Sequence, residues 1–359
     1  YNAGVAMTGG DRNVAIGGTA LDACTDGQYN VGVGNSALGS LTTADNNTAI
    51  GTNVCAAITT GHSNVAVGAN ALDGMTTNNY NTAIGYSALG GALTADYNTA
   101  VGANALLVCT SGHYNNAFGY AALDACTSGT LNNAFGSLAL GAHTTGNSNT
   151  AVGNAALAAN TTASDNTAVG ASALILATNG SNTAIGHTAL DSVTTGSYNV
   201  GLGKLAGANI TTGEENVCVG YYAGNDSGVI NITTEDQRGV FGSHSMTNLY
   251  TKVAWTVVSD ARDKMNFEEV PHGLAFVKDL QPIKFNFKKS RENATPHGNA
   301  RYGFKAQDIL ALEGDNPVII DNENEDHLKY QGEALVPVLV KAVQELSAEV
   351  EELKSKLEE

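Results

Sequence analysis

Positive charge is nearly missing from the first two thirds of this 359-residue chain. Of 17 lysines and arginines only Arg12 and Lys204 precede residue 225, against 34 acidic residues overall and a net charge of −17. A phosphate-rich partner needs a basic footprint, so the composition argues against nucleic acid and against anionic membrane surfaces. No apolar run reaches the ~18 residues that a spanning helix needs. The five cysteines (Cys24, Cys55, Cys109, Cys126, Cys218) form no CxxC and have no histidine at ligand spacing, which argues against zinc and thioredoxin-like chemistry. Proline numbers only 5, whereas glycine numbers 42. No signal peptide is legible, and the chain opens at Tyr1 inside a repeat-like pattern, as a trimmed end would.

What is present is one sentence written thirteen times. Copies begin at Asn13, Asn30, Asn47, Asn64, Asn81, Asn98, Asn115, Asn132, Asn149, Asn166, Asn182, Asn199 and Asn216. The step is 17 residues, except the 16 between Asn166 and Asn182. In "NTAIG" the third residue after Asn is apolar and the fourth is Gly. Alternation places Thr and the β-branched residue on one face, with Asn and Ala on the other, so each copy predicts a five-residue strand ended by Gly. "SAL" or "NAL" follows, then "TTG" or "TSG" turns the chain. Thr recurs twelve residues after the Asn (Thr25, Thr42, Thr59, Thr110, Thr127), which predicts Asn and Thr ladders between stacked coils. Cys24, Cys109 and Cys126 share one place in the unit, where other copies carry Leu, Ile, Met or Val, and read as small buried hydrophobes.

A unit this short cannot bury its own apolar stripe, so stability must come from stacking. At ~4.8 Å per coil the thirteen copies predict a rod about 60 Å long. Its core of Ala and Gly looks thin, which favours association of three chains around an axis. The unit also resembles the head repeats of trimeric autotransporter adhesins, whose "NSVAIG" is similar to "NTAIG"; that resemblance implies a left-handed parallel β-roll in a trimer.

Three features suggest sites and then fail. "GLGKLAG" at 201–207 looks like a phosphate loop, yet it is the twelfth copy with Lys204 substituted, and it lacks GK[ST]. "DNENED" at 321–326 starts like a calcium loop, but Asp326 stands where Gly is needed and Gly332 where Glu is needed, so it reads as a solvated acidic loop. Tyr80, Tyr97 and Tyr114 precede the Asn in successive copies, with Tyr29 and Tyr198 at the same place. They read as a stacked ladder in preference to a sugar-binding surface. No cofactor or metal is implied, and no recurring carboxylate pair suggests a glycosidase.

The composition changes after about 225, where the other 15 basic residues lie. "LYTKVAWTVV" at 249–258 alternates like a strand and runs into "SDARDKMNF". At the chain's end Val336, Leu339, Val343, Leu346, Val350, Leu353 and Leu357 form a heptad seam flanked by Glu and Lys, the pattern of a self-associating helix. A buried helix accounts only for its first turns.

"SDARDKMNF", "GLAFVKDLQPIKFNF", "RYGFKAQDI" and "HLKYQGEALVPVLVKAVQELSAEVEELKSKL" together resemble the intramolecular chaperone domain that ends phage tailspikes such as endosialidases, and that occurs also in neck appendages and in myelin regulatory factor. The resemblance spans roughly 253–359. It departs from the pattern at Lys305, where an aliphatic residue often stands. It implies a trimer whose domain helps to fold the β-structured fibre before it and then cuts itself off. The family's serine maps onto Ser259 and its lysine onto Lys264, with the cut at the Ser259–Asp260 junction. Serine needs a base, and a lysine can serve once burial or a nearby cation favours the neutral amine. Five residues apart, the two side chains diverge on a straight strand or a helix, so the chain must turn through "DARD" or the lysine must come from a neighbouring subunit.

The expected protein is thus mainly β: a trimeric parallel β-solenoid of 17-residue repeats (1–225), a β neck (226–258), and a small α+β chaperone domain (259–359) ending in a trimeric coiled coil from about 335. The resemblance implies a virion tail fibre or tailspike with a host-surface receptor or glycan and other tail proteins as partners. The alternative is a bacterial surface adhesin or extracellular filament built from the same parts.

Overall fold

The computed structural model describes every residue except 1, 92–93, 227–229, 244, 253–256, 258, 290, 292 and 359. The chain divides into two compact units, Tyr1–Ser243 and His244–Glu359.

In the first unit, fourteen short strands stack in chain order into one parallel sheet. Register follows the repeat: Thr82, Ala83 and Ile84 pair with Thr99, Ala100 and Val101. Each strand has three residues, as in Thr48–Ile50, where the repeat suggested five. The backbone explains the difference. The residue before each Asn turns left-handed (Tyr29 φ 58°), and the Gly after each strand does so too (Gly34 φ 136°). Those two corners clip the strand to its centre. A Cβ at Gly34 would also collide with the Gly51 carbonyl oxygen of the next coil.

Alternation within the strand works as expected. Ala83 is buried, while Ile84 faces out and is 41% exposed. "SAL" is neither strand nor helix: Ser36 and Leu38 both sit left-handed, at φ 56° and 55°. That conformation is costly for Leu, and it persists because the side chain is fully buried. The leucines, alanines and cysteines of successive coils form one continuous core inside a single chain. The core is therefore not left open for neighbouring chains to finish. All five cysteines are free and buried within it, and burial pushes the Cys218 thiol up to about 11.

Three ladders run along this core and its surface. The Asn that opens a repeat accepts, through Oδ1, the N–H of the residue at the same place in the next copy, as from Asn132 to Asn115 at 3.0 Å. Its Nδ2 donates to a carbonyl of the next coil, as from Asn115 to Gly129 at 2.8 Å. On the surface, Thr110 Oγ1 donates to the Thr127 carbonyl at 2.8 Å, and Thr127 to Thr144 at 3.1 Å. Tyr80, Tyr97 and Tyr114 stack nearly parallel, with ring centroids 5.0 Å apart at both steps. Tyr97 thus has both faces covered by neighbouring rings, as a stacked ladder requires.

The stacking continues past 225. Gly239–Phe241 adds a fourteenth strand beside Val217–Val219. Contacts into this coil step by 22 residues, as from Thr211 to Thr233, because the Asn225–Asn231 region is inserted as a small antiparallel pair. Arg238 stands in the Asn position and donates its N–H to Asn216 Oδ1. Insertion and substitution together hid this copy from the periodicity.

The second unit has a separate core of Phe276, Leu280, Ile309, Ile319, Ile320, Leu335 and Val338. Helices α1 (Leu274–Asp279), α2 (Ala306–Glu313) and α3 (Leu335–Glu358) surround it. An antiparallel hairpin pairs Ile283–Lys288 with Pro296–Gly303, and a two-residue pair joins Ile320–Asp321 to Lys329–Tyr330. The carboxylate of Glu313 accepts the N–H groups of Val318, Ile319 and Ile320 at 2.8, 2.7 and 3.0 Å and closes the loop after α2. The strand expected over 249–258 falls largely outside the described residues; its described parts, 249–252 and 257, lie in no strand.

The Asn ladder yields a measurable expectation. Asn115→Ala leaves the Asn132 N–H without its acceptor and the Gly129 carbonyl with only the weak Cys126 thiol as donor in a dry interior, at a cost of about 3 kcal/mol. Tyr97→Ala removes one exposed stacked ring and costs about 1 kcal/mol or less. Urea unfolding followed by circular dichroism should rank the two in that order; equal midpoints would remove the ladder's primacy.

Candidate functional site

Ser259, Asp260 and Lys264 lie in the N-terminal part of the second unit, ahead of helix α1. Ala261–Asp263 form a single 3-10 turn. Asp260 caps it, accepting the Arg262 N–H at 2.9 Å, and the turn closes through Asp263 N to the Asp260 carbonyl at 3.1 Å. The "SDAR" sequence encodes this directly, because Asp is a strong cap and the residues after it tolerate a tight turn.

The turn reverses the chain enough to bring its flanks together. Lys264 Nζ lies 2.6 Å from Ser259 Oγ within the same chain. Of the two routes open from the sequence, a turn through "DARD" or a lysine from a neighbour, this contact is made by the turn. As an ammonium the lysine donates to the hydroxyl; as an amine it would accept the hydroxyl proton across the same distance. Both side chains are exposed.

The junction residue Asp260 is held from the other side. Arg262 Nη2 reaches its Oδ2 at 2.6 Å, and Arg262 Nε lies 3.1 Å from both carboxylate oxygens. This guanidinium holds the Asp260 carboxyl below the usual carboxylate range, with the Arg262 backbone N–H adding to the effect. The pair is open to water, so its contribution to stability is small. Arg262 belongs to the motif that drew attention in the sequence, but its pairing with Asp260 was not read there.

Two further residues escaped the sequence reading. The Glu345 carboxylate accepts the Leu274 N–H at 2.6 Å and caps α1, whose own cap position is Gly273 and offers no side chain. Lys341 Nζ donates to the Val270 carbonyl at 2.6 Å. One turn apart on α3, they clamp the segment that runs from Lys264 into α1. No local signal marks them, because each partner lies 71 residues away.

Beside these charged groups, three large apolar residues close in the chain are open. Met265 is 79% exposed, Phe267 71% and Val257 66%. The heptad seam of α3 is likewise exposed from Val336 to Leu357, while Leu335, Val338 and Ala342 on its other side pack into the unit. Pro337 sits in the first turn, where no helical hydrogen bond is lost. Among the described residues, no group of three or more His, Cys, Asp or Glu side chains converges on a metal-sized point.

No curated protein and no solved structure matches the chain. Residues 259–316, which begin at the serine of this turn, match the family model described as the chaperone of endosialidase.

Proposed function

We propose that this chain is a tail-fibre or tailspike-type protein, a trimer with a β-solenoid shaft. Its C-terminal domain drives assembly and then releases itself by cutting at the Ser259–Asp260 junction. The observation that carries the reading is the 2.6 Å contact between Lys264 Nζ and Ser259 Oγ at the first residue of the family match, behind a repeat shaft. Lys264 is the base that takes the serine proton, and Ser259 is the nucleophile.

The exposed position of the pair supports a timing role. A lysine in water is an ammonium and has no lone pair to offer; covering it favours the amine. A second and third chain seated on the apolar surface around Met265 and Phe267 would supply that cover. Self-association has two supports of its own. The α3 seam exposes seven heptad positions, and the shaft's outer row runs uninterrupted from Ile16 through Ile84, Phe118 and Phe135 to Phe241 without a charge. The shaft closes its core alone, so the case for the trimer rests on these surfaces.

On this reading the protein works at the end of a virion tail, against a host-surface receptor or glycan, beside other tail proteins. The likeness of the repeats to adhesin heads favours a second reading, a bacterial surface adhesin or filament using the same domain.

Three outcomes test the proposal. Light scattering of the full chain should give three copies per particle, and Leu346→Asp with Leu353→Asp on the seam should lower that number; a monomer with native circular dichroism would sink the trimer. Residues 1–258 made alone should aggregate and stay soluble when made with the C-terminal domain, because the first coil must form before any neighbour exists to stack on it. Wild-type chain should yield fragments 1–259 and 260–359. Ser259→Ala, Lys264→Ala and Lys264→Arg should still assemble but cut at least about a hundredfold more slowly, Arg failing because it keeps its proton. Wild-type cutting rates in Lys264→Ala would mean that another group activates the serine.

A further inference from the structure

We propose that the dyad and the bond it cuts belong to different copies of the chain: Ser259 of one copy, activated by its own Lys264, attacks the Ser259 carbonyl of a second copy. The inference rests on the self-cleavage reading above and specifies how it is carried out.

Ring size carries the argument. For Ser259 Oγ to attack its own carbonyl carbon, the hydroxyl oxygen, Cβ, Cα and the carbonyl carbon must close a four-membered ring. Staggered side-chain geometry keeps that oxygen off the line of approach to the carbonyl face, and productive attack needs aligned reacting atoms. The ring that does close easily, with five members, reaches the carbonyl of residue 258 and would cut before Ser259 instead of after it. One other nucleophile lies near the junction within the chain. The Asp260 carboxylate addresses the Ser259 carbonyl through a six-membered ring, but Arg262 Nε and Nη2 occupy both of its oxygens and its Oδ1 also accepts the Arg262 N–H. Neither group of the chain itself is placed to open the Ser259–Asp260 bond.

A hydroxyl arriving from outside meets no such obstacle. Ser259 and the whole of Ala261–Phe267 are exposed, and the surface beside them carries Val257, Met265 and Phe267, large apolar groups with no cover in the single chain. The 2.6 Å contact puts base and nucleophile on one chain, so each copy brings a complete dyad and presents one bond. In a closed ring of three, each dyad faces the next copy's junction and all three bonds are served.

The step balances without any co-reactant but water. Lys264 amine takes the proton from Ser259 Oγ, and the oxygen forms a bond to the second copy's Ser259 carbonyl carbon. The tetrahedral adduct collapses with rupture of the C–N bond to Asp260, whose nitrogen leaves as an amine carrying the proton from the Lys264 ammonium. An ester now joins one chain's Ser259 side chain to the other chain's new C-terminus. Water, deprotonated by Lys264, hydrolyses it and restores the serine. One peptide bond is broken and one water consumed per chain.

The test uses full-length chains with two different affinity tags, co-expressed and purified through both so that only mixed trimers are read. Ser259→Ala chains, whole when they assemble alone, should be cut when they share a trimer with wild type, and Lys264→Ala chains likewise. Trimers mixing Ser259→Ala with Lys264→Ala should remain uncut, because no copy then holds both groups. The released fragment should begin at Asp260 by mass. Ser259→Ala chains that stay whole while their wild-type partners are cut would overturn the inference and leave self-cleavage standing. A fragment beginning at Ser259 would do the same, in favour of attack on residue 258. Wild-type trimers that never cut would remove the underlying reading as well.

Discussion

The interaction on which the shaft depends is the side-chain amide of the repeated asparagine. A left-handed residue immediately before it turns the chain inward at a corner, and that corner takes the asparagine's own N–H out of the backbone ladder. The previous copy's Oδ1 satisfies this N–H, while Nδ2 covers a carbonyl left bare by the next coil's turn. Both groups sit in a dry core, where an orphaned amide or carbonyl is costly. Asparagine alone carries a separate acceptor atom and donor atom at this reach: Asp lacks the donor, Gln is a methylene too long, and Ser or Thr holds both roles on one oxygen a bond nearer the backbone. The corner needs the amide, the amide needs a copy above and below, and so the period is fixed.

Most of that logic was legible in the sequence, because a solenoid repeats its constraints. Alternation in "NTAIG" predicted which residues face in and which face out, and Asn and Thr at one period predicted the ladders between coils. The Gly after each strand was legible as a stop, though not as a residue whose missing Cβ lets adjacent coils touch. What periodicity does not carry is the backbone. A leucine held left-handed has no sequence signature, since the conformation is imposed by the closure of the coil and tolerated because the side chain is buried. That closure also fills the core within one chain, which composition alone made look thin. The last coil was missed for a different reason: an insertion shifts its register, and Arg238 replaces the asparagine while keeping its backbone contacts, the N–H to Asn216 Oδ1 and the carbonyl to Val217.

The second unit was less legible because its contacts are long-range. The seam of α3 is local and was visible. The clamp formed by Lys341 and Glu345 on the segment before α1 joins residues far apart in the chain, so no spacing rule points to it. Two ways of bringing Ser259 to a lysine five residues on were legible, and the contact seen in the chain follows one of them: Asp260 accepts the Arg262 N–H and caps one tight turn, and the turn's two flanks meet. The strand expected over 249–258 lies largely on residues outside those described.

The two halves of the chain pose opposite physical problems, and this bears on why they are joined. Once one coil exists, each further coil of the shaft adds to a finished template, with partners only one repeat away in sequence; propagation is easy and the first coil is not. A compact unit with its own small core does not share this difficulty, since it can fold around Phe276, Ile309 and Val338 before any coil is stacked. If that unit also gathers chains through an open heptad seam, it raises the local concentration of shaft segments at the moment when nucleation is slow. On that reading its usefulness then ends, because a continuous core and the asparagine ladder hold the coils without it. A cut at the junction after assembly separates the two tasks in time. On the proposed reading an exposed Ser–Lys pair suits such a cut, since the association that would complete the pair's environment is the same one that the cut would follow.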